Sequence, residues 1–233
     1  MEAELEHDHW ESYVQCFRQT YGRAPVVYDL FCGEGGYSRG AALAGCTVVG
    51  FDIKDQPYTY GKLATSRLNG SNHFAREAIP GMHYCCRDVL SEDFRAELLS
   101  TGKIHDFAPP DVIHASPECA PYSKLNRLGK IGSSDDGSIP MVIDFLQQYA
   151  LRRLSGQCTQ AGSAVVPWTV ENVPTAQKEM ETGSTDKSSI ETLCGTMFGH
   201  RVFRHRLFRS DHDVTISVSS VTTTVSIWAL VHS

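Results

Sequence analysis

The sequence predicts an α/β fold in which a mostly parallel sheet carries helices on both faces. Short apolar, β-branched segments alternate along the chain with segments whose apolar residues recur at helical spacing. Glycines follow the first strand directly, as expected where a strand turns tightly into a helix. The 233 residues suit one domain. We divide them into a helical lead-in (1–24), a main domain (25–213) and a divergent or truncated tail (214–233).

The elements follow in chain order. The apolar run 26–30 predicts the first strand, 40–45 a compact helix and 46–52 the second strand, which together form a β-turn-α-β unit. Residues 54–82 are irregular and are a candidate lid or substrate surface. The later predicted elements are strands at 83–89, 111–115 and 164–170, helices at 92–100 and 141–154, and a strand or hairpin arm at 202–208.

The composition predicts a cytoplasmic protein that does not enter a membrane. No apolar run reaches the length of a membrane span, and the acidic amino terminus lacks the apolar core of a signal peptide. We expect the eight cysteines to be reduced, and we expect no metal because no Cys/His set has structural-zinc spacing. The net charge of −6 does not mark a nucleic-acid binder. A local basic cluster is nevertheless formed by Arg201, Arg204, Arg206 and Arg209.

The first candidate site is the run Asp29-Leu30-Phe31-Cys32-Gly33-Glu34-Gly35-Gly36. Glycines between a strand and a helix let the backbone approach a ligand closely, although a tight structural turn explains the same pattern. Asp52 ends the second strand, where nucleotide-binding folds place a carboxylate that accepts from ribose hydroxyls. Asp88 closes the third predicted strand and is placed to reach an adenine amino group. A nucleoside-bearing cofactor is predicted: NAD, FAD or S-adenosylmethionine, the first two disfavoured because the G-x-G-x-x-G spacing is missing.

The second candidate site pairs Cys119 with Glu171. Cys119 follows the strand at 111–115 and lies between two prolines, and Glu171 follows Trp168-Thr169-Val170. Both are predicted at the carboxyl ends of parallel strands, where open α/β sheets place their chemistry. A thiolate beside a carboxyl group suits covalent catalysis with proton delivery. Each alone has a plainer explanation, Cys119 as a buried small residue and Glu171 as part of a turn before proline.

These motifs resemble those of the cytosine-C5 DNA methyltransferases. The run 29–36 resembles that family's cofactor motif D-L-F-x-G-x-G-G, and the run 116–123 (SPECAPYS) resembles its nucleophile motif P-P-C-Q-x-F-S. Glu171-Asn172-Val173 matches E-N-V, and 199–208 resembles the late Q-x-R-x-R motif. The resemblance spans 26–208. It implies a Rossmann-like S-adenosylmethionine-dependent methyltransferase sheet, mostly parallel with helices on both faces, and identifies 25–213 as the catalytic methyltransferase domain.

The resemblance implies transfer of a methyl group from S-adenosylmethionine to C5 of cytosine in DNA. Cys119 would attack C6 of a base flipped out of the stack. Glu171 would hold the N3 and N4 edge and supply the N3 proton, while Arg204 and Arg206 would hold the base carbonyl, position the nucleophile loop and contact phosphate. The implied cofactor-binding residues are Phe31, Gly33, Gly35, Gly36, Asp52, Ile53, Asp88 and Val89. Of these, Phe31, Ile53, Asp88 and Val89 would contact the adenine, and Asp52 the ribose.

The departures from the family pattern leave alternatives open. Glu118 stands where the family has proline and Ala120 where it has glutamine, and a carboxylate beside the nucleophile disfavours the thiolate. Val202 replaces the late glutamine, and only 25 residues follow Phe208, with neither a target-recognition domain nor a G-N-x-V segment visible. The chain thus resembles compact bacteriophage members, expected as monomers and linked to restriction-modification. The alternatives are a catalytically weak or dead remnant that binds cofactor or DNA, an RNA cytosine-C5 methyltransferase, and a dinucleotide-dependent oxidoreductase.

Overall fold

The computed structural model describes residues 8–54, 80–122, 137–155, 166–182, 190–194, 196 and 203–210. The chain divides into two compact units, whose described residues lie in 8–89 and in 90–210. The predicted lid lies outside the described residues over 55–79, and so does the whole predicted tail. The division of the chain into lead-in, catalytic domain and tail stays a prediction.

The first unit is built on parallel strands. Its elements are α1 (Asp8–Tyr21), β1 (Val26–Leu30), α2 (Gly36–Leu43), β2 (Thr47–Asp52) and β3 (Met82–Cys86). The strands lie in the order β3-β2-β1, and both pairings are parallel. Every residue of β1 is buried, which accounts for its mostly apolar composition; Asp29 is the exception. Helix α2 packs against all three strands, so the turn that leads into α2 lies at the carboxyl end of β1.

The second unit combines a parallel pair of strands with an antiparallel strand. Its elements are α3 (Glu92–Thr101), β4 (Val112–Ala115), α4 (Ser138–Leu154), β5 (Trp168–Asn172), α5 (Gln177–Met180), β6 (Ile190–Cys194) and β7 (His205–Ser210), with short 3₁₀ helices at Ala120–Tyr122 and Pro174–Ala176. The strands lie in the order β4-β5-β7-β6. Strands β4 and β5 pair in parallel, whereas β7 runs antiparallel to both β5 and β6. The predicted α/β class with mostly parallel strands is confirmed.

Several predicted boundaries are wrong. Helix α2 begins at Gly36 rather than at residue 40, and β3 ends at Cys86 rather than at Val89, so Asp88 lies beyond the strand. Strand β5 begins four residues later and ends two residues later than predicted, so that it includes Glu171. Strand β6 was not predicted, since two of its five residues are exposed and it has no continuous apolar run.

Helix α4 shows that only some of the apolar residues in a helical pattern are buried. Phe145 and Tyr149 are buried as helical spacing predicts, but Leu151 is 66% exposed. Leu151 lies six residues after Phe145, roughly 240° around the helix, and therefore faces away from the buried side. The seven described cysteines form no disulfide bond. Within the described ranges, no helix combines the length and the apolar character needed to cross a membrane.

Candidate active site

The turn from β1 to α2 has an unusual backbone. Phe31 has φ 60°, Gly33 has φ 52° and Gly35 has φ 76°, all in the left-handed region. Glycine adopts this region freely, whereas at Phe31 it stores about 1 kcal/mol or more of strain. A Cβ atom added at Gly33 would meet no atom within 4 Å in the described part of the chain. The turn therefore leaves open space beside its backbone, as close approach of a ligand requires.

Asp52 is tied to this turn by both carboxylate oxygens. Its Oδ2 accepts a hydrogen bond from the Gly33 N–H at 2.9 Å, and its Oδ1 accepts one from the Lys54 N–H at 2.8 Å. The structure therefore brings Asp52 and Gly33 together, as the sequence predicts for a cofactor site. Each carboxylate oxygen has a second lone pair, so Asp52 can hold the turn and accept from a ribose hydroxyl at the same time. The Tyr84 hydroxyl supports the segment by donating to the Lys54 carbonyl.

Asp29 links β1 to α2, a role that the sequence did not reveal. Its Oδ2 accepts from the Ser38 backbone N–H at 3.0 Å and from the Ser38 hydroxyl at 2.5 Å. Asp29 is 1% exposed, and this burial raises its carboxyl pKa to about 7, against the opposing effect of the Ser38 hydrogen bonds. The side chain satisfies donors in the first turn of α2, where backbone N–H groups lack partners within the helix. The signal for this role in the sequence was an acidic residue inside an otherwise apolar strand.

The other predicted cofactor residues lie just after the carboxyl ends of β1, β2 and β3. Gly35 immediately precedes α2, and Gly36 is its first residue. Ile53 follows β2 and is 64% exposed, an apolar side chain open to a ligand. Asp88 is exposed in the segment after β3, whereas Val89 is 2% exposed. Their contacts with a nucleoside stay predictions.

The predicted nucleophile loop (residues 116–122), which carries Cys119, is tied to β5 and to the segment after it. Cys119 is exposed, four residues after the end of β4. The Asn172 amide donates to the Pro117 carbonyl at 3.0 Å, and the Thr175 hydroxyl donates to the Tyr122 carbonyl. Between these ties, the Tyr122 N–H donates to the Cys119 carbonyl at 3.1 Å. The thiol is thus presented to solvent on a short segment held on both sides.

Glu171 forms an ion pair with Arg206. The Glu171 Oε1 and Arg206 Nε atoms are 2.6 Å apart, and each side chain is 20% exposed. The Ser116 hydroxyl also hydrogen-bonds to the Glu171 carboxyl group. Burial raises the pKa of Glu171 above its ordinary value, while Arg206, the Ser116 hydrogen bond and Arg204 act in the opposite direction. The structure thus brings Glu171 and Arg206 into contact and places the exposed Arg204 near them.

The antiparallel direction of β7 explains this meeting. Asn172, the last residue of β5, pairs with Leu207. The residues before Leu207 therefore extend past the carboxyl end of β5. Because β7 runs antiparallel to β5, its first residues lie at the edge of the sheet where β5 ends. Arg204 and Arg206 therefore lie near Glu171, although the order of the elements along the chain does not predict this.

Glu118 and Arg209 make contacts that the sequence does not reveal. The Glu118 carboxylate accepts a hydrogen bond from the Ala120 N–H at 3.3 Å, and Glu118 is exposed. Arg209, grouped by sequence with the basic cluster, is 3% exposed and donates to the Met180 carbonyl at 2.7 Å and to the Thr182 carbonyl at 2.5 Å. Arg209 is therefore structural. Arg201 and Val202 lie outside the described residues.

Comparisons with known proteins give similarity at the level of structure. No protein-family model matches the chain, and no curated protein matches it. A solved S-adenosylmethionine-dependent methyltransferase from Agrobacterium tumefaciens is 15% identical, with a TM-score of 0.47, over 87% of this chain and 60% of that chain. The bifunctional kinase-methyltransferase WbdD is 16% identical, with a TM-score of 0.43, over 93% of this chain and 41% of that chain.

A third structure is the magnesium protoporphyrin IX methyltransferase from Synechocystis PCC 6803, solved with bound S-adenosylmethionine. It is 13% identical, with a TM-score of 0.39, over 88% of this chain and 78% of that chain. The chain spans less than two thirds of the length of the Agrobacterium protein and of WbdD.

Proposed function

We propose that this protein is an S-adenosylmethionine-dependent methyltransferase that methylates C5 of cytosine in DNA. The observation that carries the proposal is the ion pair of Glu171 and Arg206 beside the nucleophile loop. Asn172, next to Glu171 in β5, holds that loop at Pro117. An exposed thiol in the segment after β4 and a part-buried carboxyl group of raised pKa in the neighbouring strand β5 are what covalent attack with proton delivery requires.

The residues of the β1–α2 turn fit the cofactor. Gly33 leaves open space for a ligand, Asp52 retains lone pairs for ribose hydroxyls, and Ile53 offers an exposed apolar side chain. When bound, S-adenosylmethionine supplies an electrophilic methyl group on a positively charged sulfur. Asp52 and the backbone of the turn would orient the nucleoside, and Phe31 would pack on its adenine.

Cys119 would act on a cytosine extruded from the stack. Its thiolate forms a bond to C6, which moves electron density to C5 and makes that carbon the nucleophile for the methyl group. Loss of the C5 proton to water or a nearby base then breaks the bond between Cys119 and C6 and restores the aromatic ring. The exposure of Cys119, between two tied positions, allows a base to reach it.

Glu171 would protonate N3 while Cys119 attacks, so that negative charge does not accumulate on the ring. The raised pKa that burial gives Glu171 favours the protonated form needed for this step. Once the proton has left, Arg206 stabilises the carboxylate through the 2.6 Å contact. Arg204 is exposed and carries a charge suited to a phosphate.

The test is methyl transfer from tritiated S-adenosylmethionine to cytosine-containing DNA, together with trapping on DNA that contains 5-fluorocytosine. The wild-type protein should label C5 and form a covalent adduct, and Cys119→Ser should do neither. Cys16→Ser, which changes an exposed cysteine of α1, is the matched control and should behave as wild type. Labelling that survives Cys119→Ser would overturn the proposal.

The same assay separates the alternatives. Cofactor binding without transfer or adduct would identify a catalytically inactive remnant. Preference for transfer RNA when it competes with DNA would identify an RNA cytosine-C5 methyltransferase. Tight NAD binding in calorimetry, without binding of S-adenosylmethionine, would identify an oxidoreductase.

A further inference from the structure

A buried histidine is connected to Glu171 through a serine. His114 of β4 is 2% exposed. Its Nδ1 lies 2.8 Å from the Thr169 Oγ1 of β5, and its Nε2 lies 2.9 Å from the Ser116 Oγ. His114 and Thr169 are register partners in the parallel ladder. Ser116 in turn lowers the pKa of the Glu171 carboxyl group as a hydrogen-bond partner, so Ser116 connects His114 to that group.

The donor and the acceptor of each hydrogen bond follow from the chemistry of the Glu171 carboxyl group, where the chain of contacts ends. An ionised Glu171 has no proton, so the Ser116 hydroxyl donates to it. The Ser116 oxygen then accepts from His114, whose Nε2 must carry the proton. His114 is neutral at pH 7 because burial lowers its pKa to about 3, so its Nδ1 is unprotonated and accepts from the Thr169 hydroxyl. One histidine tautomer satisfies the whole chain.

We propose that His114 is a positioning residue: acting through Ser116, it fixes the hydrogen bond accepted by the Glu171 carboxyl group and thereby that group's proton affinity. The inference rests on the proposed function in one respect, namely that Glu171 delivers a proton to the base. In this arrangement, Thr169 holds the imidazole, the imidazole holds the Ser116 hydroxyl in its donating orientation, and Ser116 stabilises the carboxylate.

The charged groups that face Glu171 belong to β7 and to the residues just before it, whereas His114 belongs to β4. Arg206 of β7 contacts it directly, and Arg204 acts on it through space. Both arginines favour the carboxylate, as does the Ser116 hydrogen bond, whereas burial disfavours it. Removing the serine hydroxyl leaves burial opposed by the arginines alone. The proton affinity of Glu171 should then rise about tenfold, the equivalent of one hydrogen bond.

The experiment is a carboxyl ¹³C NMR titration of Glu171 in the full chain, with the resonance assigned by its loss in Glu171→Gln. Ser116→Ala should move the Glu171 titration about one pH unit upwards. His114→Phe should move it upwards by about half as much, because Ser116 keeps its hydroxyl but loses the group that orients it. His114→Gln, which has a donor and an acceptor to offer, should restore the wild-type titration.

Thr169→Val is nearly isosteric and keeps the test decisive if His114→Phe fails to fold. It should leave the Nε2–H tautomer in place, because the Ser116 oxygen still accepts from Nε2 and valine offers Nδ1 no acceptor, and ¹⁵N NMR distinguishes this tautomer from the Nδ1–H form. A wild-type Nδ1–H tautomer, or a Glu171 titration unchanged in Ser116→Ala, would overturn the inference. So would an Nδ1–H tautomer in Thr169→Val, because it would show that the link through Ser116 does not set the position of the imidazole proton.

These readouts do not depend on activity. Shifted titrations in a protein that neither labels DNA nor forms an adduct would support the hydrogen-bond chain and sink the proposed function. Methyl transfer with Glu171 titrations that are identical in all variants would support the function and sink the role of His114.

Discussion

The two units hold their functional carboxyl groups by different means. In the first unit, Asp52 accepts from two backbone N–H groups, and Asp29 accepts from the backbone and hydroxyl of one residue, Ser38. In the second unit, Glu171 is held by the side chains of Ser116 and Arg206. Any residue except proline supplies a backbone donor, whereas a side-chain donor has to be a particular residue. The two hydrogen bonds of Asp52 therefore place no demand on the donors' side chains, whereas the contacts of Glu171 depend on the identities of Ser116 and Arg206.

The largest expected effect comes from removing the carboxyl group of the second unit. Glu171→Gln should lower the rate of methyl transfer by about 10²–10⁴-fold, the usual contribution of a positioned proton donor. Single-turnover transfer of tritium measures the rate, and calorimetry should show unchanged affinity for S-adenosylmethionine. Glu191→Gln, at an exposed position of β6, is the control. An equal loss of cofactor affinity would show that Glu171 does not act separately from the first site.

Next in size is the effect of Asp29 on stability. Its pKa rises from 3.8 to about 7 on folding, so the folded state holds a proton that the unfolded chain has lost between these values. The resulting stability is fully present below pH 3.8 and is lost as the pH rises through about 7. Between pH 5 and pH 7, the free energy of unfolding should fall by about 2 kcal/mol more in the wild type than in Asp29→Asn.

Urea unfolding of both proteins at each pH measures this difference. Ser38→Ala is a useful companion, because losing the hydroxyl donor should raise the folded-state pKa of Asp29 further and extend the fall to higher pH, while leaving the carboxyl group in place. A pH dependence that is the same in the wild type and in Asp29→Asn would show that Asp29 stays ionised in the folded protein.

A smaller effect is expected for Asp52→Asn. The amide offers only one acceptor oxygen, so its NH₂ group would face either the Gly33 or the Lys54 N–H. The turn should lose one of its two ties, and affinity for S-adenosylmethionine should fall about tenfold. Calorimetry checks this, with the exposed Glu34→Gln as control. Unchanged affinity would place the ribose elsewhere.

The smallest expected effect concerns the carboxylate beside the thiol. Glu118→Gln should raise the rate of transfer less than about threefold, because Glu118 and Cys119 are both exposed and water screens their interaction. Initial rates at low ionic strength, repeated at high salt, provide the measurement. A gain of a hundredfold would mean that the carboxylate lies directly against the thiol in the reacting complex.

Sequence reasoning succeeded where structure is encoded locally. The bounds of β1 and the position of Asp52 follow from apolar runs, and the site turn follows from its glycines. The start of α2 was missed because the cap comes from Asp29, in a different element, and such a contact leaves no local pattern. The glycines at 35 and 36 therefore predicted a loop, although α2 already begins at Gly36.

The sequence predicted the motif residues of the second site but not the residues that hold them in place. Cys119 and Glu171 were named, but no role was predicted for Asn172, which lies in β5 and holds Pro117. His114 went unremarked because a histidine in an apolar strand gains meaning only from the partners that the parallel ladder places beside it. Residues that are distant in sequence supply those partners, and periodicity carries no information about them.

The ties on either side of Cys119 bear on what must move during a reaction. Asn172 and Thr175 fix the segment from Pro117 to Tyr122 as part of folding, so little conformational entropy remains to be lost there when a base arrives. Attack by a group already in place gains the advantage of an intramolecular reaction over a bimolecular encounter. In the proposed reaction, the search for the reactive geometry would then fall to the nucleic acid, whose base would have to leave its stack, rather than to the thiol.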